Sequence, residues 1–124
     1  MLRPTSSGLF RTFGVCIIVA IFVLSLMPNP EQLHVPGGDK LHHFLAYGGC
    51  MFAWAMALSR PKSRFIALLL ICAMGVLIEV LQGWTGWRTF DVADMVANTL
   101  GALSGWVAAR IAAGLQRRFG FASA

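Results

Sequence analysis

Charge is scarce in this sequence: Asp, Glu, Lys and Arg together make up 12% of its 124 residues, against the roughly 25% usual in soluble domains. Hydrophobic residues make up 57%. A water-exposed globule of this composition would lack the polar surface to cover itself, which excludes a soluble enzyme. Acid is scarcer than base, five Asp+Glu against ten Lys+Arg, for a net charge of +5. In a soluble chain that excess would suggest nucleic acid. Here it points to charge sorted across a membrane, with no nucleic-acid partner. Cysteine is limited to Cys16, Cys50 and Cys72, odd in number, without a Cys-x-x-Cys pair and all within apolar stretches. They read as small packing residues, so neither a disulfide framework nor a zinc cluster is expected. Also missing are H-E-x-x-H, a paired Glu-x-x-His, a glycine-rich phosphate loop and a serine nucleophile beside a base. No cofactor and no metal site is expected, and no established catalytic motif is present.

What the sequence has instead is four apolar stretches, roughly Phe13 to Met27, Leu41 to Leu58, Phe65 to Leu81 and Met95 to Ala112. Each approaches the length an α-helix needs to cross a bilayer. The first lengthens if it begins near Leu9, with Arg11 snorkelling its guanidinium toward the headgroups. Pro28-Asn29-Pro30 ends the first stretch, Ser59-Arg60-Pro61 the second, and Gly83 with Gly86 loosens the chain after the third. Asp39 and Asp91 are placed to cap the second and fourth helices. The expected architecture is all-α, an integral membrane bundle of four transmembrane helices in one domain spanning 1–124. Arg3 and Arg11 ahead of an apolar run resemble a signal peptide, but Ser25-Leu26-Met27-Pro28 matches a cleavage site poorly, so an uncleaved anchor is expected.

Every loop is short enough for the positive-inside rule. Arg3 and Arg11, then Arg60, Lys62 and Arg64, then Arg110, Arg117 and Arg118 fall on one side of a four-span chain. Both termini and the second loop are therefore expected in the cytoplasm of a multi-pass cell-membrane protein. All the acidic residues, Glu31, Asp39, Glu79, Asp91 and Asp94, then lie at or near the other face, with Lys40 and Arg88.

The helical period brings those residues together. Lys40, His43 and Tyr47 share one face of the second helix at i, i+3 and i+7, and Asp39 and His43 are i,i+4 neighbours. Cys72, Gly75, Glu79 and Gln82 form a stripe on the third, and Asp91, Asp94, Asn98, Gly101 and Gly105 form one on the fourth. Small residues at Gly75, Gly101 and Gly105 let helices approach closely. An ionisable group within the membrane boundary costs about 2.5–3.5 kcal/mol, so Glu79 and Asp94 should face a partner or a wet cavity. A polar pocket is expected between the second, third and fourth helices, opening on the outer side, with Trp84 and Trp87 as an interfacial belt. Blander readings stand beside these: capping for Asp39 and Asp91, headgroup anchoring for Lys40, interhelical bonding for Gln82 and Asn98, and packing for Tyr47.

This pattern resembles the VanZ-like family of integral membrane proteins. Asp39-Lys40-Leu41-His42-His43-Phe44 with Tyr47 is similar to the family's D-K-x-x-H-F-x-x-Y segment, and Glu79-Val80-Leu81-Gln82 to its E-x-x-Q. Arg88-Thr89-Phe90-Asp91-Val92-Ala93-Asp94, then Asn98, Gly101 and Gly105, is similar to its R, D, N, G and G series. The motifs span 39–105, over half the chain. The resemblance implies a small helical membrane domain of the kind named after a teicoplanin-resistance accessory protein, and supplies no established reaction.

Three functional classes follow. In the first, the pocket binds a polar or anionic headgroup or a lipid-linked envelope precursor, with Lys40, His43 and Arg88 on the anion and Glu79, Asp94 and Asn98 orienting them, and with a bearing on glycopeptide susceptibility. In the second, it hydrolyses or transfers a lipid phosphate, with Asp94 or His43 as base. In the third, Glu79 and Asp94 carry protons in a transporter subunit, or the chain is a structural accessory whose partner is a second copy or another membrane protein. His43, Glu79 and Asp94 are valid metal-ligand types on three helices, without a metal-binding motif to support them.

Overall fold

The structure, a computed structural model, describes residues 4–28, 38–86 and 88–120, the side chains at 4, 5, 38 and 39 excepted. Among the described residues it consists of four α-helices with no strand: α1 (Pro4–Leu26), α2 (Gly38–Ala57), α3 (Pro61–Thr85) and α4 (Val92–Phe119). α3 and α4 reach beyond their apolar stretches at both ends, whereas α1 and α2 begin earlier and stop one residue short of Met27 and Leu58. Pro61 occupies the first turn of α3, where its missing N–H costs nothing. Gly86, at φ 78°, terminates α3 in the left-handed conformation that glycine adopts without strain. Gly83 does not loosen the chain as its composition suggested; it lies inside α3, and a Cβ there would meet the Cβ of Phe90 at 3.3 Å. Its missing side chain admits the returning loop. Asp91 caps α4, its Oδ1 accepting from the Ala93 N–H at 2.8 Å.

Close approach at glycines sets the helix packing. A Cβ on Gly101 would collide with the Phe44 carbonyl oxygen, and one on Gly105 with the Gly48 carbonyl oxygen. Contacts from Lys40 to Asp94 and from Gly48 to Gly105 advance together along both chains, so α2 and α4 run parallel. α1 crosses α2 in the opposite sense, with Gly14 against the Trp54 indole and Gly49 against Ile17. Gly75 of α3 lets Asn98 and Tyr47 come within contact distance. Alternating directions bring the α3–α4 loop and the N-terminus of α2 to one end, and the α2–α3 loop and the C-terminal end of α4 to the other.

Burial is inverted relative to a water-soluble protein. Gln82, Glu79 and Asn98 are among the largest fully buried side chains, while Leu24, Leu45, Leu70, Leu100 and Ile111 are exposed. Two segments, Ser6–Leu26 and Pro61–Thr85, are long and apolar enough to cross a membrane. α2 has 20 residues and α4 has 28, so each is at least about 30 Å long at 1.5 Å per residue. Their polar residues, turned inward at the cluster and exposed toward the C-terminal end of α4, lower their apolar character.

Cys16, Cys50 and Cys72 are free thiols; Cys50 packs in the core, whereas Cys16 lies exposed on α1. Ser104 faces outward. At the end away from the buried carboxylates, a cleft of about 830 Å³ is lined by Arg11, Arg64, Arg110 and Arg117 among others. Arg64 donates to the Leu58 carbonyl there at 2.8 Å.

Candidate functional site

The N-termini of α2 and α4 meet the C-terminal part of α3 around a buried polar cluster. The i, i+3, i+7 spacing on α2 turns His43 and Tyr47 inward and leaves Lys40 at the rim. On α4, Asp94 and Asn98 face His43 one turn apart. Glu79 enters from α3 and is fully buried; Asp94 is 6% exposed and Asn98 1%.

Bonding within the cluster is partial. His43 Nδ1 lies 2.8 Å from Asn98 Oδ1. An amide oxygen only accepts, so this pairing puts a proton on Nδ1 and, in the neutral ring, leaves a lone pair on Nε2. Nε2 faces Asp94 Oδ2 at 3.6 Å, beyond the range of a good hydrogen bond. Glu79 Oε2 accepts from the Asp91 backbone N–H at 3.3 Å, tying the carboxylate to the N-terminal end of α4. Lys40 Nζ is 3.4 Å from Asp91 Oδ2 and 3.7 Å from Asp94 Oδ1, its side chain half exposed. The Ala93 N–H, and then the Lys40 ammonium, hold the Asp91 carboxyl below its ordinary pKa against a smaller opposing effect of burial.

Four buried polar atoms have no hydrogen-bond partner among the described residues: Tyr47 Oη, Glu79 Oε1, Asp94 Oδ1 and Asn98 Nδ2. Buried groups of this kind are rare and call for an explanation. One ligand atom from each of His43, Glu79 and Asp94 can be chosen so that all lie within 4.8 Å of one another.

The fold therefore gathers Lys40, His43, Glu79, Asp91, Asp94 and Asn98, with Tyr47 packed beside them. Gln82 departs from the group: its Nε2 donates to the Ser25 carbonyl of α1 at 2.9 Å, which makes it an α1–α3 tie. Arg88, half-buried in the α3–α4 loop, is within electrostatic range of Glu79. The Asp39 side chain and all of Trp87 lie outside the described residues, whereas Trp84 is 81% exposed. Gly75, Gly101 and Gly105 all stand at helix contacts. Spacing did not single out Gly48, which faces Gly101 and Gly105 from α2; adjacent glycines at 48 and 49 inside an apolar run are the signal for it.

Chemically, the cluster offers an oriented imidazole, two buried carboxylates and an ammonium at its mouth. Such a set can bind a polar headgroup, move a proton or hold a cation.

No solved structure matches the chain significantly. An uncharacterized protein of Schizosaccharomyces pombe is 34% identical over 92 residues, covering 68% of this chain and 57% of that protein. The chain thus spans little more than half the length of this relative. The pattern of the VanZ/LLP1 family matches residues 9–113, nearly the whole described helical core with the polar cluster inside it, and the chain belongs to that family.

Proposed function

We propose that this chain is a four-span membrane protein of the cell envelope whose polar cluster opens on the extracytoplasmic side and binds the headgroup of a lipid or lipid-linked precursor. The carrying observation is the convergence of two helix N-termini and Lys40 on buried carboxylates with unpartnered oxygens. A phosphate suits the Lys40 ammonium and the positive ends of α2 and α4. Hydroxyl or amine groups of the same headgroup suit Glu79 Oε1 and Asp94 Oδ1, which accept no hydrogen bond among the described residues, and Asn98 Nδ2 is free to donate. A headgroup bearing both kinds of group fits better than a bare anion.

Orientation follows from charge. The Arg-lined cleft and the basic α2–α3 loop belong in the cytoplasm, with both termini, and the cluster then faces outward. The exposed leucines and isoleucines that water would not tolerate become the lipid-facing surface. Sequestering a lipid-linked precursor is the route by which such a protein would alter teicoplanin-type susceptibility.

A second reading, transfer or hydrolysis at a lipid phosphate, draws on the Asn98–His43–Asp94 alignment, in which His43 Nε2 is positioned as a base. Native mass spectrometry of the protein extracted with its lipids tests the binding reading. Wild type should retain a headgroup-bearing lipid that Glu79→Gln and Asp94→Asn lose while inserting and accumulating normally. Equal retention in all three refutes it, and variants that fail only to fold reduce the carboxylates to structural bonding. Turnover of the retained lipid that ceases in His43→Gln would favour the second reading.

A further inference from the structure

The buried half of the cluster is short of positive charge. Among the described residues, three acidic side chains, Glu79, Asp91 and Asp94, gather at this end against two basic ones, Lys40 and Arg88. Lys40 does not cure this, because its half-exposed ammonium is shared between Asp91 and Asp94. Glu79, with no exposure at all, receives a single N–H on one oxygen and nothing on the other. Two buried carboxylates that close repel each other unless a proton or a cation lies between them.

The donor set suits a cation. Asn98 holds the His43 ring by Nδ1, and Nε2 lies near Asp94, as in metal sites where the second imidazole nitrogen is tied to a fixed acceptor. The 3.6 Å between Nε2 and Asp94 Oδ2 is too long for a strong hydrogen bond but close to the edge of about 3.4 Å that a tetrahedral ion with bonds of ~2.1 Å sets between neighbouring ligands. With all three ligand atoms inside 4.8 Å, side-chain adjustments of about 1 Å close the shell. The second observation is the set of orphaned atoms: Glu79 Oε1 and Asp94 Oδ1, on side chains more than nine-tenths buried, have no hydrogen-bond partner.

We propose that His43 through Nε2, with Glu79 and Asp94 through carboxylate oxygens, forms a binding site for one divalent first-row metal ion, which no sequence motif announces because its ligands come one from each of three helices. One imidazole with two carboxylates and no thiolate selects the zinc, manganese, iron and cobalt group over soft monovalent copper. Two carboxylates neutralise the ion, and Lys40 is left to Asp91 as a separate neutral pair. Three protein ligands leave a coordination position for water or for an oxygen of the proposed headgroup. The inference concerns the same cluster as the proposed function but does not depend on it.

The test uses the full chain, purified in detergent, stripped with a chelator and titrated with Co²⁺ alone, without added lipid. Wild type should bind one equivalent, with visible absorption from a low-coordinate cobalt site, and release it to Zn²⁺. His43→Ala, Glu79→Gln and Asp94→Asn should each abolish binding, Asn98→Ala should weaken it about 10–100-fold, and Gly114→Ala should leave it unchanged. X-ray absorption of the Zn²⁺-loaded wild type requires no variant: one imidazole nitrogen with oxygen ligands supports the site. Absence of saturable Co²⁺ binding, binding unaltered in the three ligand variants, or a shell containing sulfur or lacking imidazole overturns it. Lipid retention measured in chelator fails or succeeds separately, so loss of one reading is distinguishable from loss of the other.

Discussion

Replacing Gly101 with alanine tests the packing that creates the cluster. The new Cβ would press on the Phe44 carbonyl oxygen and lie 2.9 Å from its Cα and 3.0 Å from its carbonyl carbon, where ordinary contacts are 3.4–4 Å. These are backbone atoms and cannot swing aside, so α2 must withdraw by about 0.5–1 Å, an overpacking that costs about 1–3 kcal/mol. Removing a helical glycine returns up to about 1 kcal/mol, which has to be separated from the clash. Gly114→Ala makes the separation, since it sits on the same helix with nothing within 4 Å of its Cβ position. Unfolding of both variants in mixed micelles, followed by circular dichroism, should place Gly101→Ala below Gly114→Ala by about 1–3 kcal/mol. Gly105→Ala presses on Gly48 in the same way, and one retreat of α2 relieves both clashes, so the double variant should cost less than the sum. The retreat also reaches the site. The 2.8 Å pairing of His43 with Asn98 lies a turn away and would stretch past about 3.2 Å, so cobalt binding should weaken along with stability. Equal stability of the Gly101 and Gly114 variants would refute the close α2–α4 crossing and the geometry built on it.

Gln82→Met removes the bond to the Ser25 carbonyl, and a loss of about 0.6–1.7 kcal/mol is expected from the same unfolding assay; no loss would mean the α1–α3 tie contributes nothing. Asp91 is held below its ordinary pKa, so its charge stabilises the fold above the unfolded-state value of about 3.9 and that contribution is lost as pH falls through the lower folded value. Wild type should therefore lose stability relative to Asp91→Asn below about pH 4, and parallel melting curves down to about pH 3 would contradict the assignment. Reporter fusions in the α2–α3 loop and after Gly120 should read cytoplasmic, and one at Phe90 extracytoplasmic; any reversal removes the outward-facing site.

The sequence made the four helices legible because each carries a long apolar face, and it made the cluster legible because polar residues recur there at helical spacing. Helix ends were less legible, since capping and interfacial residues are polar and look like loop: α4 runs to Phe119, seven residues past the apolar stretch ending at Ala112. Gln82 shows the limit of face arithmetic. It shares a stripe with Glu79, three residues away, yet the separation of about 60° between those positions is enough to aim one at α1 and the other at α4. The proposed metal site has no motif for a related reason: its three ligand types are readable in the sequence, but α2, α3 and α4 supply one each, so no spacing on a single helix joins them. What brings them together is not a polar residue at all. Glycines at 75, 101 and 105 remove the side chains that would hold the helices apart, and the adjacent polar turns then meet at ligand distance. On that reasoning the G-x-x-x-G stripe belongs to the site as much as the carboxylates do, and glycine variants that fold should lose cobalt binding before they lose their helices.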